Sequence, residues 1–181
     1  MTTASKITIA RIALIPFFFV VALWEFQWHN LVALAIFAFA AFTDSLDGYV
    51  ARRYDQVSSF GKFIDPLADK FLVVAALLIF VSRGQMAPWA CFLVLLREFA
   101  VTGLRLVAVE KGTVIAAGWS GKIKTVASFI CICIMFLPFY DHALLPWLSV
   151  NDLCVFIIVV TTLYSGIVYF IANWAAVDFK T

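Results

Sequence analysis

Six apolar stretches separated by short polar connections set the pattern of this chain. They fall near 7–27, 31–51, 62–82, 87–109, 119–139 and 152–175, and each reaches the length of about 20 residues that a helix needs to cross a bilayer. The first, fifth and sixth are nearly all apolar, without the polar face of a helix on a water-soluble core. The second, third and fourth carry charges within or at the ends of the apolar run, and ionisable groups at membrane depth are costly enough to mark function. The pattern predicts an all-α integral membrane protein, with six transmembrane helices in a single domain over 1–181. The first stretch follows Lys6 and Arg11 as a signal peptide would. Because "WEFQWHN" follows it in place of a small-x-small cleavage site, it reads as a retained span.

Composition supports lipid as the solvent. The 181 residues are 65% hydrophobic and 13% charged, against about 45–50% and 25% in soluble domains. A chain this short cannot cover so much apolar surface with its own core. A net charge of +2 is too small to point to nucleic acid. Cys91, Cys131, Cys133 and Cys154 all lie inside apolar runs, without the spacing of a disulfide frame or a zinc site.

Lys and Arg gather at the N-terminus (Lys6, Arg11), around the second connection (Arg52, Arg53, Lys62, Lys70) and around the fourth (Lys111, Lys122, Lys124), with Lys180 near the C-terminus. The first and fifth connections carry none, and the third has only Arg83. The positive-inside rule then places both termini and the charged connections in the cytoplasm. Trp24, Trp28, Trp89, Trp119, Trp147 and Trp174 fall near span ends, as interfacial anchors do. His29 and His142 read as solvated loop residues.

The stretch "TDSLDGYVARRYDQVSSFGKFIDPLADK", Thr43 to Lys70, stands out from its apolar surroundings. Asp44 and Asp47 are three apart at the end of the second span, and Asp65 and Asp69 four apart at the start of the third. Those spacings place each pair on one helix face. A short connection makes the two helices antiparallel neighbours, so the four carboxylates can converge. Such a set of hard oxygen ligands suits Mg2+, Mn2+ or Ca2+, and two bridged metals form a clamp for phosphoryl substrates. Gly48 and Ala51 leave room for a ligand beside the helix, Gly61 permits close packing or a special turn, and Arg52 is a donor suited to phosphate. Pro66, without an N–H, suits the first turn of the third helix. A solvated loop of mutually paired Asp and Arg is the simpler reading. It does not account for two aspartate pairs at helical spacing, each at a span end.

These residues fit a known pattern. "D-S-L-D-G-Y-V-A-R", eight residues, then "G-K-F-I-D-P-L-A-D" resembles the CDP-alcohol phosphotransferase signature at every defined position, Asp44 through Asp69. The segments "ITIARIALIPFFF", "FIDPLADK", "REFAVTGLR" and "GKIKT" resemble the bacterial branch of that family whose acceptor is glycerol 3-phosphate. The resemblance implies transfer of a phosphatidyl group from CDP-diacylglycerol to sn-glycerol 3-phosphate, releasing CMP, at the cytoplasmic face of a bacterial plasma membrane. It also implies six transmembrane helices, a homodimer and two Mg2+ or Mn2+ ions per subunit. By the same resemblance Asp44, Asp47, Asp65 and Asp69 hold metal, and Asp69 is the general base. Gly48, Ala51 and Arg52 would contact the CDP moiety, with Thr8, Ser58 and Gly61 beside it.

The acceptor's own phosphate requires cations. Arg97 and Arg105, eight apart, fall within about 80° on one helix face, while Lys122 and Lys124 open the fifth span. These four are the candidates for that phosphate. Pairing of Arg97 with Glu98 is the simpler role for that arginine, but neighbours in sequence do not face each other on a helix. Positive-inside anchoring is the simpler role for the lysines. Other acceptors such as serine or inositol phosphate, an Asp-rich intramembrane prenyltransferase, and a cation channel or transporter are the competing readings. The Asp-Gly-x2-Ala-Arg register counts against the prenyltransferase, and the apolar first, fifth and sixth spans against a transport path.

Overall fold

A computed structural model describes residues 3–24, 26–54, 59–110 and 118–174, with side chains described over 12–24, 26–43, 70–109 and 118–174. Each predicted stretch is a helix: α1 Thr3–Leu23, α2 His29–Tyr54, α3 Ser59–Ser82, α4 Pro88–Glu110, α5 Trp119–Met135 and α6 Val150–Asn173. α1 continues through Pro16. α3 starts at Ser59, so Pro66 lies beyond its first turn rather than within it. α5 stops at Met135, short of the predicted 139, because Pro138 disfavours helix in the residue before it. The connection that follows contains an antiparallel hairpin, β1 Ala143–Leu145 and β2 Leu148–Ser149, which the sequence pattern does not reveal. Ser149 then caps α6: its hydroxyl accepts from the Asp152 N–H at 3.1 Å, and its own N–H donates to Asp152 Oδ2 at 3.1 Å. This reciprocal pair satisfies backbone donors at the helix start.

The chain divides into two compact groups, residues 1–83 with 136–138, and residues 84–135 with 139–181. In the first, α1 packs against α2 and α3. Phe18, Phe37, Phe80 and Phe136 are fully buried there, with the Phe80 and Phe136 ring centroids 4.7 Å apart. Arg83, just past α3, ties the three helices together. It donates to the Ala22 carbonyl at the end of α1 and, at 2.7 Å, to Asn30 Oδ1 at the start of α2, while its guanidinium lies 5.7 Å from the Phe136 ring centre. Gly84 follows at φ +71°, the left-handed position that commonly ends a helix.

In the second group α6 packs against α4 and α5. Its buried face combines Cys154, Ile158 and Val159 with small and polar residues nearer the C-terminal end. Thr162, Ser165, Gly166 and Tyr169 are buried, whereas Phe156, Leu163, Ile167 and Ile171 are exposed. Small and polar groups at the helix interface, with large apolar groups outward, are what a lipid solvent selects. Among the described residues α6 is the helix long and apolar enough to cross a bilayer by its own composition. All six tryptophans are exposed, at or near helix ends or in the hairpin.

Candidate active site

The aspartate signature lies on the first group of helices. Asp44, Asp47, Gly48, Ala51 and Arg52 belong to the last three turns of α2, and Gly61, Asp65 and Asp69 to the first three of α3. The backbone is helical through both segments, so the three- and four-residue spacings are each about one turn. Side chains from 44 to 69, and that of Thr8 on α1, lie outside the described residues, as does Ser58 altogether. Among the described side chains, no three of His, Cys, Asp and Glu gather in one place. Four carboxylates are borne by α2 and α3, two helices that touch, and hard oxygen donors of that kind fit a divalent metal ion.

The predicted cations of the second group occupy three settings. Arg97 and Lys124 share Glu98: its Oε1 accepts from Arg97 Nη1 at 3.0 Å and from Lys124 Nζ at 2.5 Å. The three side chains are 12%, 7% and 20% exposed for Arg97, Lys124 and Glu98 respectively. Arg97 Nη2 also donates to the hydroxyl of Ser165, a fully buried residue of α6. Arg105, two turns beyond Arg97 on α4, donates from Nε to the Tyr169 hydroxyl at 2.9 Å and lies 5.3 Å from that ring's centre. Lys122 is exposed, with its ammonium 4.8 Å from the ring centre of Trp119.

One expectation is overturned here. Arg97 and Glu98 do meet, although consecutive residues leave a helix about 100° apart. Both side chains are long enough to turn toward Lys124, and the meeting point is set by α5 rather than by α4. Sequence reasoning therefore brought out the four cations, named Glu98 beside Arg97 only to discount it on helical spacing, and missed Ser165 and Tyr169. Their signal in the sequence is a polar residue in an otherwise apolar stretch, for Ser165 and Tyr169 four apart on one face of α6.

Comparison with known proteins matches residues 1–177 to the profile of the CDP-alcohol phosphatidyltransferase family. A CDP-diacylglycerol–glycerol-3-phosphate 3-phosphatidyltransferase of Bacillus subtilis is 42% identical over 184 residues, spanning 95% of each chain. Enzymes of the same name from Yersinia pestis and Salmonella paratyphi A are 33% and 37% identical, the first over 93% of both chains and the second over 70% of this chain and 71% of its own. With the complete Asp44–Asp69 signature and likeness along almost its whole length, the chain belongs to the CDP-alcohol phosphatidyltransferase family, a family of membrane enzymes that use divalent metal ions.

Proposed function

We propose that this protein transfers the phosphatidyl group of CDP-diacylglycerol to sn-glycerol 3-phosphate, giving phosphatidylglycerophosphate and CMP. The observation that carries the reading is 42% identity across 95% of the chain to a relative named for that reaction. The cations of α4 and α5 add support, since an acceptor that bears a phosphate needs such groups. The two helical groups serve one membrane domain over 1–181, with six spans, both termini cytoplasmic, and a homodimer in the bacterial plasma membrane.

In this reading Asp44, Asp47, Asp65 and Asp69 hold two Mg2+ or Mn2+ ions. When bound, the ions offset the charge of the pyrophosphate and of the departing CMP. Gly48 and Ala51 let the nucleotide approach the α2 backbone, Arg52 donates to its phosphate, and Thr8, Ser58 and Gly61 lie beside it. Arg105, Lys122, Lys124 and Arg97 bind the acceptor phosphate and so orient its primary hydroxyl. Asp69 takes the proton of that hydroxyl as its oxygen attacks the lipid-linked phosphorus. The phosphorus–oxygen bond to CMP breaks, and its electron pair leaves with CMP.

The direct test is CMP release by the purified protein in detergent with CDP-diacylglycerol, Mg2+ and a panel of acceptors. Release that depends on glycerol 3-phosphate, and not on serine or inositol phosphate, is the expected result. Release with another alcohol alone would reassign the acceptor, and no release with any alcohol would sink the reading.

A further inference from the structure

Glu98 joins two of the cations assigned to the acceptor, and its surroundings show how firmly it does so. Its Oε1 receives Arg97 Nη1 and Lys124 Nζ, from α4 and α5, while Ser165 on α6 accepts from the other terminal nitrogen of Arg97. A Cβ at Gly166 would stand 3.1 Å from Arg97 Cγ, so the arginine stem lies directly on the α6 backbone. Arg97 Nε is buried and finds no hydrogen-bond partner among the described residues. The guanidinium is thus held by acceptors on α4 and α6, and its Nε is left without a partner among the described residues.

Two cations close together in a weakly screening interior repel each other, and each has lost much of its hydration. One carboxylate between them offsets both effects. It also leaves the trio itself with a net charge of +1, two positive groups and one negative. A long Arg or Lys side chain left free would lose rotamer entropy on gripping a phosphate; one already fixed by a neighbouring carboxylate has less to lose.

Resting on the reading of Arg97 and Lys124 as acceptor-phosphate ligands, we propose that Glu98 is a positioning residue for that site. It fixes the two cations at the spacing at which both reach one phosphate, and does not itself touch the substrate. If Glu98 instead occupied the place of the phosphate, neutralising it would tighten acceptor binding, so the sign of the effect decides between the two.

The test compares wild type with Glu98→Gln, Glu98→Asp and Gly166→Ala, all purified in detergent with Mg2+. Binding of inorganic phosphate and of glycerol 3-phosphate is titrated by calorimetry, and CMP release gives KM for each substrate. Glu98→Gln is expected to weaken both anions about tenfold and to raise the KM for glycerol 3-phosphate alike, the scale of one charge-assisted hydrogen bond. The KM for CDP-diacylglycerol and kcat at saturating acceptor stay within about twofold, Glu98→Asp recovers most of the affinity, and Gly166→Ala, which displaces Arg97 without changing any charge, weakens the same two ligands. Unchanged or tighter phosphate binding in Glu98→Gln, or a parallel loss for both substrates, overturns the proposal. Wild-type protein that releases no CMP with glycerol 3-phosphate refutes the acceptor reading instead, while inorganic phosphate still reports whether Glu98 sets the cation pair.

Discussion

Asp69 and Arg105 separate the two halves of the proposed chemistry, one acting on a proton and the other on a phosphate. Asp69→Asn keeps size and removes the base, so kcat should fall by about 100- to 10,000-fold, the usual worth of general-base catalysis. Binding of CDP-diacylglycerol should largely survive in that variant; a near-normal kcat would show that another group takes the proton. Arg105→Ala should raise the KM for glycerol 3-phosphate about ten- to a hundredfold, the range for hydrogen bonds to a charged group. The KM for CDP-diacylglycerol should move much less, and equal effects on both substrates would count against the assignment. Tyr169→Phe offers a finer comparison. It removes the hydroxyl that receives Arg105 Nε but keeps the ring face beneath the guanidinium, so its effect on the same KM should be smaller than that of Arg105→Ala.

At the level of elements, the helices were legible because long apolar runs and the caps that end them are local properties. The sequence runs and observed helix ends differ by no more than four residues, and the shift at the end of α5 has a local cause in Pro138. The hairpin was not legible: strands of three and two residues are too short to show an alternation of period two. The aspartate signature was readable as a motif, and its helical spacing agrees with the backbone of α2 and α3. What holds Arg97 and Lys124 was legible only in part: Glu98 could be named beside Arg97, but its contact with Lys124 and that of Ser165 with Arg97 arise only where three helices meet. The same distinction applies to Arg83. It reads as a stray cation in an otherwise uncharged-by-lysine connection, yet it joins α1, α2 and the end of α3. Arg83→Ala should therefore destabilise the protein by about 1–3 kcal/mol, since a carbonyl at the end of α1 and the Asn30 amide each lose a charged donor. The measurement is thermal unfolding in detergent with activity assayed well below the transition. A lower Tm with unchanged KM values is the expected outcome, and lost activity at unchanged Tm would place Arg83 in the chemistry instead.

For the whole molecule, the consequence that matters is which side of the bilayer the signature faces. CDP-diacylglycerol is held in the membrane, whereas glycerol 3-phosphate and CMP are dissolved in water, so the reaction needs a surface where both can arrive. Three independent features give the frame. α6 exposes large apolar side chains such as Phe156, Leu163, Ile167 and Ile171, the six tryptophans are exposed near helix ends or in the hairpin, and Lys and Arg concentrate in alternate connections. Together they predict that the connection between α2 and α3 is cytoplasmic and that the hairpin 143–149 lies on the opposite face. The prediction can be read in intact bacterial cells with single cysteines placed in a background lacking Cys91, Cys131, Cys133 and Cys154. A membrane-impermeant maleimide should label Leu144→Cys from outside, and should reach Gln56→Cys only after the membrane is opened. Labelling of Gln56→Cys in sealed cells would put the signature outside, away from a cytoplasmic supply of acceptor, and the proposed reaction would then lack its water-soluble substrate. The orientation test thus bears on function as directly as the assay of CMP release, and it requires no assumption about which alcohol is the acceptor.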